Sequence, residues 1–126
     1  MHNVNPKKIK LTRANIVNRV MSGERLDVNV EVNHAVTPVT NNMCETLDTL
    51  SLTRKVEDPS MPFEILLEVS GTFSVLSNPS PAEIFEQTVN YTFPHLQAYL
   101  NQLLGMTGFP PIYLPASSVP TYPENK

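Results

Sequence analysis

A single cysteine, Cys44, is the only thiol in the 126-residue sequence. That excludes an internal disulfide framework and any metal site built on several thiolates, and it suits a reducing compartment. Glycine is nearly as scarce. The four glycines, at 23, 71, 105 and 108, supply neither a phosphate-cradling loop nor a dinucleotide-binding fingerprint, so no nucleotide cofactor is expected. No run approaches the roughly 18 apolar residues of a membrane helix, and the basic opening MHNVNPKKIK leads into no apolar signal segment. A soluble, cytoplasmic chain without membrane insertion is expected. From Glu57 to Asn125 there are seven carboxylates and no Lys or Arg, whereas residues 1–25 hold Lys7, Lys8, Lys10, Arg13, Arg19 and Arg25 against Glu24 alone. No aromatic residue is interleaved with these cations. Lysines guarding an edge strand against sheet-to-sheet association therefore explain them better than a nucleic-acid arm, and no nucleic-acid partner is expected.

Catalytic constellations are missing as well. His2, His34 and His95 lie far apart, with no HExxH pair and no cysteine at ligand spacing, which makes them surface or helix-end histidines and leaves metal sites without a basis. No G-x-S-x-G elbow exposes a serine, and nothing beside Cys44 in the sequence activates its thiol. Glu64 and Glu68 fall on the polar face of a strand, where solvation accounts for them. An enzyme is not expected.

What is present is one domain's worth of alternating strands and a helix. With 40% hydrophobic and 17% charged residues, the chain is long enough for one core spanning residues 1–126. In RLDVNVEVN, Leu26, Val28, Val30 and Val32 alternate with Asp27, Asn29, Glu31 and Asn33, the pattern of a half-buried strand. PFEILLEVSGTFSV repeats it, with Phe63, Ile65, Leu67, Val69, Phe73 and Val75 on one face and Gly71 among them, where a strand glycine allows close approach or a bulge. ETLDTLSLTRKV forms a third strand ended by Asp58 and Pro59, and KKIKLTR a fourth, with ANIVNRVMSG either its continuation or a loop. Residues 1–25 are thus a basic strand or loop and 26–76 an antiparallel sheet.

A helix follows over 80–105. Ser80 caps it, Pro81 suits the first turn and Glu83 completes a capping box. Phe85, Val89, Phe93, Leu96, Leu100 and Leu103 make one apolar stripe at spacings of three or four. Pro94 interrupts it, predicting a kink or a fresh start with Thr92 as the second cap. Gly105 suits a left-handed C-terminal cap, and Gly108 to Pro111 cannot continue a helix. Residues 106–126 are a proline-rich tail.

The strand FEILLEVSGTFSV followed by a helix carrying TFPHLQAYLNQLLGMTGFPPIYLP resembles the SecB family of protein-export chaperones. The resemblance rests on Gly71 and Phe73, on Phe93 and Pro94, and on Gly108, Phe109 and Pro110 followed by Leu114 and Pro115. LDVNVEV is similar to the family's second strand, so the likeness covers about residues 26–115. It implies an α+β fold, a SecB-like four-stranded antiparallel sheet with one long kinked C-terminal helix, assembled as a homodimer or homotetramer. Tyr99 and Leu104, beside the main stripe, would be uncovered in a monomer.

The implied activity is that of an ATP-independent holdase for unfolded or precursor polypeptides in protein export. Phe109, Ile112, Tyr113 and Leu114 then border a client groove, with Val20 and Met21, in the shortened crossover ANIVNRVMSGE, as further client contacts. As an alternative to the groove, the four tail residues cover the sheet or a subunit interface. Glu64 and Glu68 are the nearest candidates for contact with the motor SecA. The sequence departs from the family in its short crossover and in having no counterpart of the second helix and zinc tail after Pro115, so zinc-dependent docking has no support. A structural or adaptor protein with the same fold, or the chaperone of one dedicated client such as an antitoxin or secreted precursor, is the alternative function. A carrier of a small ligand has no sequence feature of its own.

Overall fold

The computed structural model describes residues 3–18, 27–55 and 63–123. Alternation of apolar and polar residues produces four strands, β1 (Val4–Asn18), β2 (Val28–Val36), β3 (Met43–Arg54) and β4 (Phe63–Val75). All pairings are antiparallel, in the order β1-β4-β3-β2. On β4 the predicted apolar set is buried and the intervening residues are more exposed along its whole length. ANIVN continues β1 through Asn18 rather than forming a loop. β1 is an edge strand with Lys7, Lys8 and Lys10 exposed, the placement expected of lysines that discourage edge pairing. Pro6 is tolerated there because an edge strand has one side without ladder partners, and the register shifts beside it, between Pro6 and Lys8. β2 and β3 are joined by a tight turn in which Asn41 and Asn42 both have positive φ, 54° and 58°. Thr40 and Met43 exchange both backbone hydrogen bonds across it, as in a two-residue hairpin.

One helix, α1 (Pro81–Met106), lies across the inner face of the sheet. Its start follows the sequence signal: Ser80 Oγ accepts from the Glu83 amide and Glu83 Oε1 from the Ser80 amide, both at 3.2 Å. α1 runs unbroken through Pro94, so no second helix starts there, and Thr92 is a buried mid-helix residue rather than a cap. Pro94 and His95 are exposed, as is Asn90, whose carbonyl the proline leaves without its helical donor. The buried line on α1 comprises Ile84, Phe85, Thr88, Val89, Thr92, Leu96, Leu100 and Leu104. Phe93 and Leu103, placed in the stripe from spacing alone, sit half-buried on its flanks.

The C-terminus corrects the capping residue. Gly105 is helical, and Gly108 takes the left-handed conformation, with φ 76°. Phe109 N–H donates to the Leu104 carbonyl at 3.0 Å and Gly108 N–H to the Gly105 carbonyl at 3.2 Å, the paired bonds of a Schellman motif. A side chain at either glycine would meet nothing within 4 Å, so alanine acts through the backbone alone. Gly105→Ala is expected to stabilise the protein by about 0.5–1 kcal/mol and Gly108→Ala to destabilise it by about 1–2 kcal/mol. Thermal melts of the two variants should shift in opposite directions, and a shift of the same sign would rule out this C-cap.

Leu50, Leu52, Phe63, Ile65, Leu67 and Val69 of the sheet meet Leu96, Leu100 and Leu104 of α1 in the main core. A second cluster at the other end of the sheet joins Val4, Cys44, Phe73, Val75 and Ile84. Burial pushes the Cys44 thiol above its ordinary pKa, which keeps it protonated and unreactive.

Candidate functional site

α1 packs chiefly over β1 and β4, which leaves the β2 side of the inner face to be covered by something else. Prolines at 110, 111, 115, 120 and 123 keep the tail out of regular sheet and long helix. Extended, it turns back from the Schellman cap. Phe109, Ile112 and Leu114 pack on the main core, as Val28, Val30 and Val32 of β2 also do. A single 3-10 turn at Ala116–Ser118 then lies against β2, and Tyr122 reaches Phe85 near the start of α1, their ring centroids 5.6 Å apart. The tail therefore runs antiparallel to the helix along the cleft between α1 and β2.

Polar groups of α1 hold it there. Gln97 Nε2 donates to the Ile112 carbonyl at 2.8 Å, and Gln97 Oε1 accepts from the Leu114 amide at 2.7 Å. One turn further along, Asn101 Oδ1 accepts from the Ile112 amide at 3.2 Å. Phe109 rests on Phe63 with 5.7 Å between ring centroids. Tyr113 points away, 75% exposed. Of the four tail residues assigned to a groove, three are half-buried cover for the sheet and helix, and Tyr113 alone is open. Val20 and Met21 lie outside the described residues.

Glu64 and Glu68 are on the outer face of β4, away from this cleft. Glu64 is exposed, while Glu68 is half-buried and accepts a hydrogen bond from Thr12 Oγ1 at 2.9 Å through its Oε2.

Beneath the helix lies a polar cluster that no motif announced. His34, expected at the surface, is buried on the inner face of β2, and Asp48 is fully buried on β3. His34 Nδ1 meets Asp48 Oδ1 at 2.8 Å, and Thr92 Oγ1 donates to Asp48 Oδ2 at 2.7 Å. His34 Nε2 is 2.8 Å from Thr88 Oγ1, and its ring stands edge-on to Phe85 at 4.7 Å. Enclosed in this way, the cluster ties two strands to the helix and presents no reactive atom to a substrate. Above Phe85 a cavity of about 520 Å³ opens between the β2–β3 connection and the start of α1, with Val36, Val39, Val75, Ile84 and Tyr122 in its wall. Among the described residues no three His, Cys, Asp or Glu side chains are grouped to hold a metal ion, and no helix is long and apolar enough to cross a membrane.

The architecture is similar to that of a Mycobacterium tuberculosis SecB-like chaperone, Rv1957, solved in complex with a ChAD peptide from the HigA1 antitoxin. The two superpose with a TM-score of 0.70 over 90% of each chain, at 15% identity. The chain has the SecB-like fold. A protein of unknown function from Streptococcus agalactiae shares it more loosely, with a TM-score of 0.53 and 13% identity over 89% of this chain and 96% of that one. No family model matches the sequence, and no curated protein matches it. The SecB-like sheet and long helix are those that the glycine, phenylalanine and proline positions implied. The site features missed from sequence are Gln97, Asn101 and the His34–Asp48 cluster. A polar residue half a helix from its partner in space carries no sequence signal. Asp48, though, sits in alternation with Leu50 and Leu52, a hint that it faces inward.

Proposed function

We propose that the chain is a SecB-like, ATP-independent holdase for unfolded or precursor polypeptides. The observation that carries the reading is the SecB-like fold at a TM-score of 0.70 to a chaperone solved with a peptide from another protein. The client is held along the apolar cleft marked by Phe109, Ile112, Tyr113 and Leu114, with Val20 and Met21 contributing from the crossover. The holdase works as a homodimer or homotetramer, in the cytoplasm and without a cofactor. Any SecA-like partner meets the outer face of β4 at Glu64 and Glu68, with the exposed Glu64 the more outward of the two.

A narrower reading, one dedicated client without general holdase activity, is favoured by the neighbour's partner being a single antitoxin peptide. Aggregation of a chemically denatured test enzyme, followed by turbidity, tests the general reading. Suppression at a near-stoichiometric ratio without nucleotide is expected, and no suppression together with capture of one protein in a native pull-down would replace it with the dedicated-client reading. Light scattering at micromolar concentration is expected to report an oligomer, and a monomer would remove the proposed assembly.

A further inference from the structure

We infer that the cavity of about 520 Å³ at the start of α1 is a binding site for a small, neutral molecule with an aromatic body. The inference goes beyond the holdase reading and concerns a different place: Gln97, Asn101, Phe109, Ile112 and Leu114 take no part in the cavity wall. Its size falls within the roughly 300–1,000 Å³ of small-ligand pockets. The wall is mostly apolar, with Val36 from β2, Val75 from β4, Ile84 and Phe85 from α1, and Tyr122 from the tail. Phe85 and Tyr122 meet edge to face with their ring centroids 5.6 Å apart, and they offer aromatic surface to a ring placed beside them.

The site is formed before a ligand arrives. Three prolines, Pro38, Pro79 and Pro81, complete the wall from the β2–β3 connection, the β4–α1 connection and the first turn of the helix. Their fixed φ stiffens both connections that frame the space, so little chain entropy is lost on binding. The same two connections hold the four non-glycine residues of positive φ among the described residues, Asn41 and Asn42 in one and Ser77 and Asn78 in the other. A left-handed conformation costs free energy at any residue with a Cβ, and such positions gather where a protein shapes a site.

Charge selects the class of ligand. No Lys, Arg, His, Asp or Glu is among the described residues of the wall. From Glu57 to Asn125 the sequence has no Lys or Arg at all, and Glu83, at the helix start, is turned into the capping box with Ser80. An ionised group buried here would lose its water without gaining a counter-charge, which excludes a carboxylate or phosphate as the enclosed part of the ligand. The polar groups on offer are neutral. The side-chain amides of Asn42 and Asn78 can donate and accept, and the Thr37 hydroxyl, which accepts from the Glu45 amide at 2.8 Å, keeps its proton to donate. The complement is an aromatic body with a neutral amine, amide or hydroxyl group.

The test uses the full chain and two matched fluorescent probes: N-phenylnaphthylamine, which is neutral, and anilinonaphthalene sulfonate, the same ring system carrying an anion. Saturable binding of the neutral probe is expected, about tenfold or more tighter than that of the sulfonate. On adding the neutral probe, amide chemical shifts should move at Val36, Val39, Asn42, Asn78 and Ile84 and stay unchanged at Gln97 and Asn101. Val39, in the wall and 42% exposed, accepts a lysine without disturbing the core. Val39→Lys supplies the missing cation and should reverse the preference in favour of the sulfonate. The inference is overturned by any of three results with the parent: no saturable binding of the neutral probe, equal affinity for the sulfonate, or shifts gathered along residues 97–114. An unchanged preference in Val39→Lys, with an amide spectrum showing it folded, overturns it as well. Neither probe is a polypeptide, so failure here leaves the aggregation assay to decide the holdase reading by itself.

Discussion

Asp48→Ala is expected to lower the stability of the protein by about 3–5 kcal/mol, the largest effect of any polar substitution among the described residues. Asp48 has no exposed surface, and each of its carboxylate oxygens has one partner, His34 on β2 and Thr92 on α1. Alanine leaves the imidazole Nδ1 and the Thr92 hydroxyl without that acceptor in a site closed to water. Each orphaned group costs about 1–3 kcal/mol, to which the small cavity adds. Asp48→Asn keeps the shape and one acceptor oxygen, so it should fall between alanine and the parent. Replacing His34 and Asp48 together by leucine removes both members of the pair, and a smaller loss than for Asp48→Ala is expected, since orphaning one partner is worse than removing two. Urea unfolding of the three variants measures this. A loss below about 1 kcal/mol for Asp48→Ala would show that the cluster does not hold helix to sheet.

Gly71→Ala is expected to cost about 1–3 kcal/mol by overpacking. Gly71 lies on the buried face of β4 opposite Thr46, and an added Cβ would stand 2.6 Å from Thr46 Oγ1 and 2.8 Å from Phe73 Cε1. Neither neighbour yields easily. Phe73 is fully buried, and Thr46 is a β-branched residue 3% exposed. The Thr46 hydroxyl also has no hydrogen-bond partner among the described residues, so Thr46→Ala should be close to neutral by itself and should recover part of the loss in Gly71→Ala. The double-mutant cycle gives the coupling directly, and strict additivity would place the strain elsewhere. The SecB-like resemblance marks this glycine as a motif position; the structure gives it a steric reason.

Much of the fold was legible because its determinants are local. The period-two runs of β2 and β4 mark which side chains turn inward, and the Ser80, Pro81 and Glu83 signal places the start of α1. Local rules failed where two local choices were both acceptable. Gly105 and Gly108 each suit a helix end, and the main-chain bonds to Leu104 and Gly105 select the second. Pro94 permits a break, yet packing of Leu96, Leu100 and Leu104 against the sheet carries the helix through.

By itself, then, the sequence determined the number of core-facing strands it could name, the onset of the helix, and a proline-rich tail unable to extend either. Only the tertiary structure decided that β1 pairs with β4, that His34 joins Asp48 and Thr88 across separations of 14 and 54 residues, and that the tail folds back onto Gln97, 15 and 17 residues away. The physical reason is range. Alternation and capping are set by neighbours within a turn or a pleat, whereas these contacts depend on which surfaces remain uncovered once sheet and helix have met.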